Sequence, residues 1–219
     1  MKEFETLREK LLKMGHVLSQ ATESFSAFEA LMELSAPNVV GKKEAGENVA
    51  EMNKYIGFFG SIQDAHRVRA MLKLSHMFDK HRDALSLEKL LNTAEGQGKF
   101  LTKEAFTKAN AGRPFLEEME KEYVGIQKKT ITHLRSLIDS RREIIARLLS
   151  ERDQYLAHTD WKAIKQKITS GDMRDLIEIA ETVINDLLRG LDNAIFDCQK
   201  LAKRSKVDTK TVLAQLRKK

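Results

Sequence analysis

Apolar residues recur every three to four positions along most of this chain, with polar and charged residues between them. Leu7, Leu11, Met14 and Leu18 start the pattern, and Phe25, Phe28, Leu31, Met32 and Leu34 extend it. That spacing predicts a helix over residues 2–35, with Gly15 and the Thr22/Ser24/Ser26 cluster as places where it could divide in two. Pro37-Asn38 and the stretch from Gly41 to Gly46 read as a polar break. A second stripe of Met52, Tyr55/Ile56, Phe59, Ile62, His66, Ala70, Leu74 and Met77 predicts a long helix from about Glu47 to Lys80. Gly57 and Gly60 mark a kink or a close approach within it.

Shorter elements follow. Ser86 is placed as the N-cap of a short helix, which Gly96-Gln97-Gly98 ends. Thr102 to Ala109 reads as another, and Gly112-Arg113-Pro114 as a stop followed by a start. One long helix is then expected from Pro114 to about His158. Its later stripe is Leu134, Leu137/Ile138, Ile145, Leu148/Leu149 and Tyr155/Leu156. Trp161 to Ile168 reads as a short helix or turn, and Ser170-Gly171-Asp172 as a start signal. The cleanest pattern runs over about 171–204, from Met173 through Leu176/Ile177, Ala180, Val183/Ile184, Leu187/Leu188, Leu191 and Ala194/Ile195 to Cys198 and Leu201/Ala202. Such a stripe must bury against another helix, most simply the one bearing Arg152. Asp208 reads as the cap of a final short helix.

These patterns predict an all-α chain with long helices. Only 2 prolines and 11 glycines occur in 219 residues, and β-branched runs are rare, which argues against a sheet. A single domain over 1–219 is expected, with 1–45 as an N-terminal helical extension and 205–219 as a short basic helix or tail. No apolar run approaches the roughly 18 residues needed to cross a bilayer, so no membrane partner is expected. The N-terminus is charged and lacks a secretory apolar region. The single Cys198 cannot form an internal disulfide, which fits a reducing cytoplasm.

Charge is unevenly placed. The net charge is +6, and residues 200–219 hold eight lysines and arginines against Asp208 alone. The remainder is therefore near neutral. Lys203, Arg204, Lys206, Lys210 and Arg217 are candidate contacts for an anionic partner such as RNA, or simply a solvated terminal helix.

Chemistry concentrates at Arg152-Asp153-Gln154-Tyr155-Leu156-Ala157-His158. Arg141 and Arg152 fall in register with the apolar stripe of their helix. An arginine at an inward position must be paired or hydrated, because an isolated buried charge costs several kcal/mol, on the order of 3–5. On a helix, Arg152 and His158 stand about 120° apart around the axis and about 9 Å along it, so they flank a face without converging on one atom. A two-fold pairing of such helices would place two arginines and two histidines in one cleft. A histidine moves protons near neutral pH, an arginine fork suits a phosphate, and RNA supplies its own 2′-hydroxyl nucleophile. Asp153 could orient either partner. The plainer alternative is an Arg152 paired with an acid on the last helix, such as Asp186, with His158 against the last carbonyls of its own helix.

Other chemistries find little support. The six histidines are scattered, His66 lies on an apolar stripe as a packed core histidine does, and Cys198 sits on the apolar face of the last helix. No metal or cofactor is expected. Gly96-Gln97-Gly98 is no phosphate loop, because no Gly-Lys-Ser/Thr follows.

Arginine, a polar neighbour and a histidine six residues on, near the end of a long helix in an all-α chain, resemble the HEPN superfamily. Arg152 to Asp160 looks like its abortive-infection AbiU-type branch, and Asp79-Lys80-His81-Arg82-Asp83-Ala84-Leu85-Ser86-Leu87-Glu88-Lys89-Leu90-Leu91 is similar to an upstream feature of that branch. With the matching helix order, the resemblance covers most of residues 45–200. It implies a helical bundle with long antiparallel helices that dimerises through the motif helix. It also implies metal-independent RNA cleavage by Arg152 and His158 with support from Asp153, in phage defence or as a toxin with an antitoxin or activator partner. Some members of the superfamily bind nucleotides or RNA without cutting, so a non-catalytic RNA-, nucleotide- or protein-binding module is the alternative. A structural helical oligomer is a third.

Overall fold

The computed structural model describes residues 2–157 and 167–218. Among them it holds eleven α-helices and no strand, so the fold is all-α, as the periodicity predicts. No helix is long and apolar enough to cross a membrane among the described residues. The chain forms two compact units, one of residues 1–18 and 74–196, the other of residues 19–73 and 197–219.

The first unit takes the start of α1 (Lys2–Leu34) and the end of α4 (Ile56–Phe78). To these it adds α5 (Leu87–Gln97), α6 (Lys103–Ala109), α7 (Leu116–Glu122), α8 (Lys128–Asp139), α9 (Arg142–Ala157) and α10 (Ser170–Asp192). Its centre is the apolar stripe of α10, where Met173, Leu176, Ala180, Val183, Ile184, Leu187, Leu188 and Leu191 are buried. α10 packs on α8 and α5, and α5 packs on α8. Leu90, Leu91, Ile131 and Leu134 complete that contact as buried residues. A reciprocal capping box starts α10. The Asp172 N–H donates to Thr169 Oγ1 at 3.0 Å, and the Thr169 N–H donates to Asp172 Oδ2 at 2.9 Å. Such a box satisfies two orphan donors of the first turn.

Several helices end earlier than the periodicity suggests. The expected helix from Pro114 to His158 is three helices, α7, α8 and α9. Between α7 and α8, Gly125 adopts φ +73°, a left-handed conformation that glycine takes at no steric cost. Between α8 and α9 the break falls at Ser140 and Arg141, and the Ser140 hydroxyl donates to the Leu137 carbonyl at 2.7 Å. The expected helix over 171–204 stops at Asn193, which caps α10 in the left-handed conformation. Asparagine tolerates that conformation better than most residues. Ile195 is therefore exposed and leaves the stripe. In the other direction, α1 is unbroken: Gly15 is a packing site, where the Phe196 ring fills the space a Cβ would need.

The second unit is built from the rest of α1 and α4 with α2 (Pro37–Val40), α3 (Lys42–Lys54) and α11 (Cys198–Leu216). The expected helix from Glu47 to Lys80 is thus two, parted at Tyr55, whose backbone leaves the helical region at φ −128°, ψ 41°. Leu31, Leu34, Phe59 and Leu213 form a buried cluster, flanked by Met52, Ile62 and Leu216. Asn48 is buried there, donating to the Leu34 carbonyl at 2.9 Å and accepting from Arg217 at 2.9 Å. Asp208 caps nothing. It lies inside α11, which Asp197 caps by accepting the Lys200 N–H at 2.9 Å.

Candidate functional site

Arg152 sits on the last turns of α9, with its side chain 19% exposed. Two carboxylates of the same unit hold it. Nη1 meets Asp79 Oδ2 at 2.8 Å, while Nε and Nη2 meet Asp153 Oδ1 at 2.8 Å and 2.7 Å. Asp79 follows the end of α4, and its Oδ1 accepts the His81 backbone N–H at 2.8 Å. The two segments that carry the family likeness, 73 residues apart, therefore meet through one ion pair. Asp186, named above as the plainer partner for Arg152, pairs instead with Arg189 on its own helix at 3.0 Å.

The electrostatics follow from these contacts. The His81 N–H holds the Asp79 carboxyl below the usual carboxylate range, burial opposes it, and the Arg152 charge adds to the lowering. Burial works against the charged form of Arg152, but Asp153 and then Asp79 outweigh it, and the guanidinium is held above its ordinary value. Among the described residues these contacts engage one N–H on each of Nε, Nη1 and Nη2. One cation faces two carboxylates here, so an approaching phosphate needs a further positive charge.

The loop after Asp79 is tied down by Lys89. Its ammonium donates to the carbonyls of His81 at 2.6 Å and Ala84 at 2.8 Å, and to that of Arg82. This leaves His81, Arg82 and Asp83 exposed on a loop with a fixed backbone. His81 Nδ1 accepts the Asp83 N–H at 3.3 Å.

Glu151, next to Arg152 in the sequence, is a buried carboxylate that periodicity does not show. It is 3% exposed, and its carboxylate accepts the Ile168 N–H at 2.6 Å. Arg147 bonds Asp172 at 2.8 Å and Arg141 reaches Asp175 at 3.4 Å, so α9 and α10 are joined at several levels. Arg141 is half-exposed rather than inward, and its Nε lies within ion-pair distance of Asp175 without a hydrogen bond among the described residues.

His158 lies outside the described residues, as does most of the stretch from Trp161 to Ile168. Asp153 is exposed and in contact with Arg152. The five candidate cations of α11 lie in the other unit. Lys206 pairs with Glu33 at 2.7 Å and Glu29 at 3.3 Å, and Arg217 pairs with Glu47. Lys210 reaches Glu33 at 3.8 Å and Arg204 reaches Asp208 at 3.9 Å. Lys203 is exposed. His66 is half-buried, with its pKa lowered first by burial and then by Arg69, in keeping with a packed histidine. Among the described residues no group of three or more His, Cys, Asp or Glu is placed to hold a metal.

A family model of the HEPN class, described as AbiU2, matches residues 2–212. The match takes in the N-terminal helix and most of α11, well beyond the two segments in which the likeness is visible by eye. No curated protein and no solved structure matches the chain.

Proposed function

The chain belongs to the HEPN AbiU2 family, and on that premise we propose that it is a metal-independent endoribonuclease with Arg152, His158 and Asp153 as its working residues. The observation that supports this most is the doubly paired, partly buried Arg152, held between Asp79 and Asp153.

In the proposed reaction the RNA 2′-oxygen attacks the adjacent phosphorus and the bond from phosphorus to the 5′-oxygen breaks. His158 moves the proton, which ends on the departing 5′-hydroxyl. The Arg152 guanidinium stabilises the negative charge that develops on the phosphorane oxygens. Asp79 and Asp153 fix the plane of the guanidinium. The extra positive charge that the site needs comes from His158 once it has taken the 2′-hydroxyl proton and, in a symmetric homodimer, from the second copy of the motif. Phage defence, or a toxin role with an antitoxin or activator protein, is the proposed setting.

The chemistry of the products tests this reading. Cleavage should leave a 2′,3′-cyclic phosphate and a 5′-hydroxyl. A 5′-phosphate on the product would show that water or a metal-bound hydroxide had attacked instead, and would sink it.

A further inference from the structure

The face of α9 that ends at Arg152 also walls a groove. The cavity is about 360 Å³ and lies between α5, α8 and α9, with Lys80 at one side. Leu91, Ile138, Ile145 and Leu149 make its floor apolar. Lys80, beside the Asp79 that pairs with Arg152, stands at its rim with Arg142. At about 100° per residue, Arg152, Ile145, Leu149 and Arg142 fall within an arc of about 80° on α9. Arg142 and Arg152 are ten residues apart, about 15 Å along the axis. Groove and ion pair thus lie along one side of α9, with Lys80 of the lining next to Asp79 in sequence, and the volume is in the range of small-ligand pockets.

We propose that this groove seats one nucleotide of an RNA strand that continues along α9 to Arg152. The base lies on the apolar floor and the phosphate meets Lys80 and Arg142. This rests on the ribonuclease reading above. Charge and shape both argue for a nucleotide. A purely apolar ligand would leave Lys80 without use, and Lys80, Arg135 and Arg142 in the described lining outnumber its carboxylates Glu88 and Asp139. A bare phosphate would leave the apolar floor wet. Asp139 is already bonded to Arg142 at 2.8 Å, which fixes the guanidinium at the rim. Glu88, exposed at the start of α5, is an acceptor for a base amino group.

The test is binding of a fluorescein-labelled, mixed-sequence 2′-O-methyl RNA ten-mer, read by anisotropy. That strand lacks the attacking hydroxyl, so binding is measured apart from cleavage. Ala146 lines the groove and is exposed, so Ala146→Trp fills the cavity without entering the core. It should weaken binding about tenfold or more. Arg142→Gln should weaken it severalfold and lower the slope against salt by about one. Lys13→Glu, on exposed α1 surface outside the groove, should change little. Ala146→Trp binding as tightly as wild type overturns the groove and leaves the nuclease reading to cleavage assays. Failure of the wild type to bind the strand also overturns it. Weakened binding by Ala146→Trp in a protein that cuts no RNA keeps the groove and removes the nuclease reading.

Discussion

Arg152 and Asp79 join segments 73 residues apart through a 2.8 Å ion pair, with side chains only 19% and 23% exposed. Asp79 is itself held by the His81 N–H. The guanidinium therefore has one preferred plane, set by the loop after α4 as much as by α9.

Asp79→Asn removes the charge and keeps the shape. It should cost about 1–2 kcal/mol of stability near neutral pH, between the values for exposed and buried pairs. The carboxyl pKa is lowered in the folded chain. Its contribution is therefore fully present above the unfolded value of about 3.9, and is lost as pH falls through the lower folded value. Urea melts of both proteins should differ by a constant amount at pH 5–7 and converge below about pH 4. Curves that stay parallel down to pH 3 would contradict the pairing.

Arg152→Lys keeps a positive charge and loses the fork. Lysine cannot bond Asp79 and Asp153 together in one fixed plane. Cleavage should fall by about 10²-fold or more, with the fold retained. Circular dichroism and cleavage rates measured side by side decide this, and a rate within about twofold of wild type would remove Arg152 from the proposed chemistry.

Lys89→Met removes three hydrogen bonds to loop carbonyls. Amide exchange should rise at His81 to Ala84 by at least about tenfold, which corresponds to about 1.4 kcal/mol of local opening. Cleavage should fall with it, because Asp79 loses its fixed position. Unchanged exchange would show that the loop holds its shape without the ammonium.

Removal of residues 206–219 tests how the basic end of the chain is used. Leu213 is 1% exposed in the second unit's core, and Lys206 and Arg217 are bonded to acids of α1 and α3. The deletion should destabilise that unit by on the order of 3 kcal/mol or more. A chain that keeps its urea midpoint without them would show a merely solvated tail.

Much of this was legible in advance. The stripe of α10, the start of α5 after Ser86 and the all-helical class follow from local periodicity and start signals, although the Ser86 side chain makes no capping hydrogen bond. The breaks at Tyr55, Ser140 and Asn193 did not stand out, because apolar spacing continues on both sides and no proline intervenes. Gly125 was a signal that could have been read. The motif drew attention to Arg152 through its inward register, yet its partner could not be read from spacing, since Asp79 is brought in by tertiary packing. The same is true of Glu151, an apparently ordinary surface carboxylate that the Ile168 N–H draws inward.

The central claim is metal-independent cleavage by this site. Wild type and His158→Ala should be incubated with RNA in the presence of EDTA, after light scattering shows that both have the same oligomeric state. Cleavage by the wild type that disappears in the variant is the expected result. Equal cleavage by both would contradict the assignment of His158, and cleavage by the wild type that EDTA abolishes would contradict the mechanism itself.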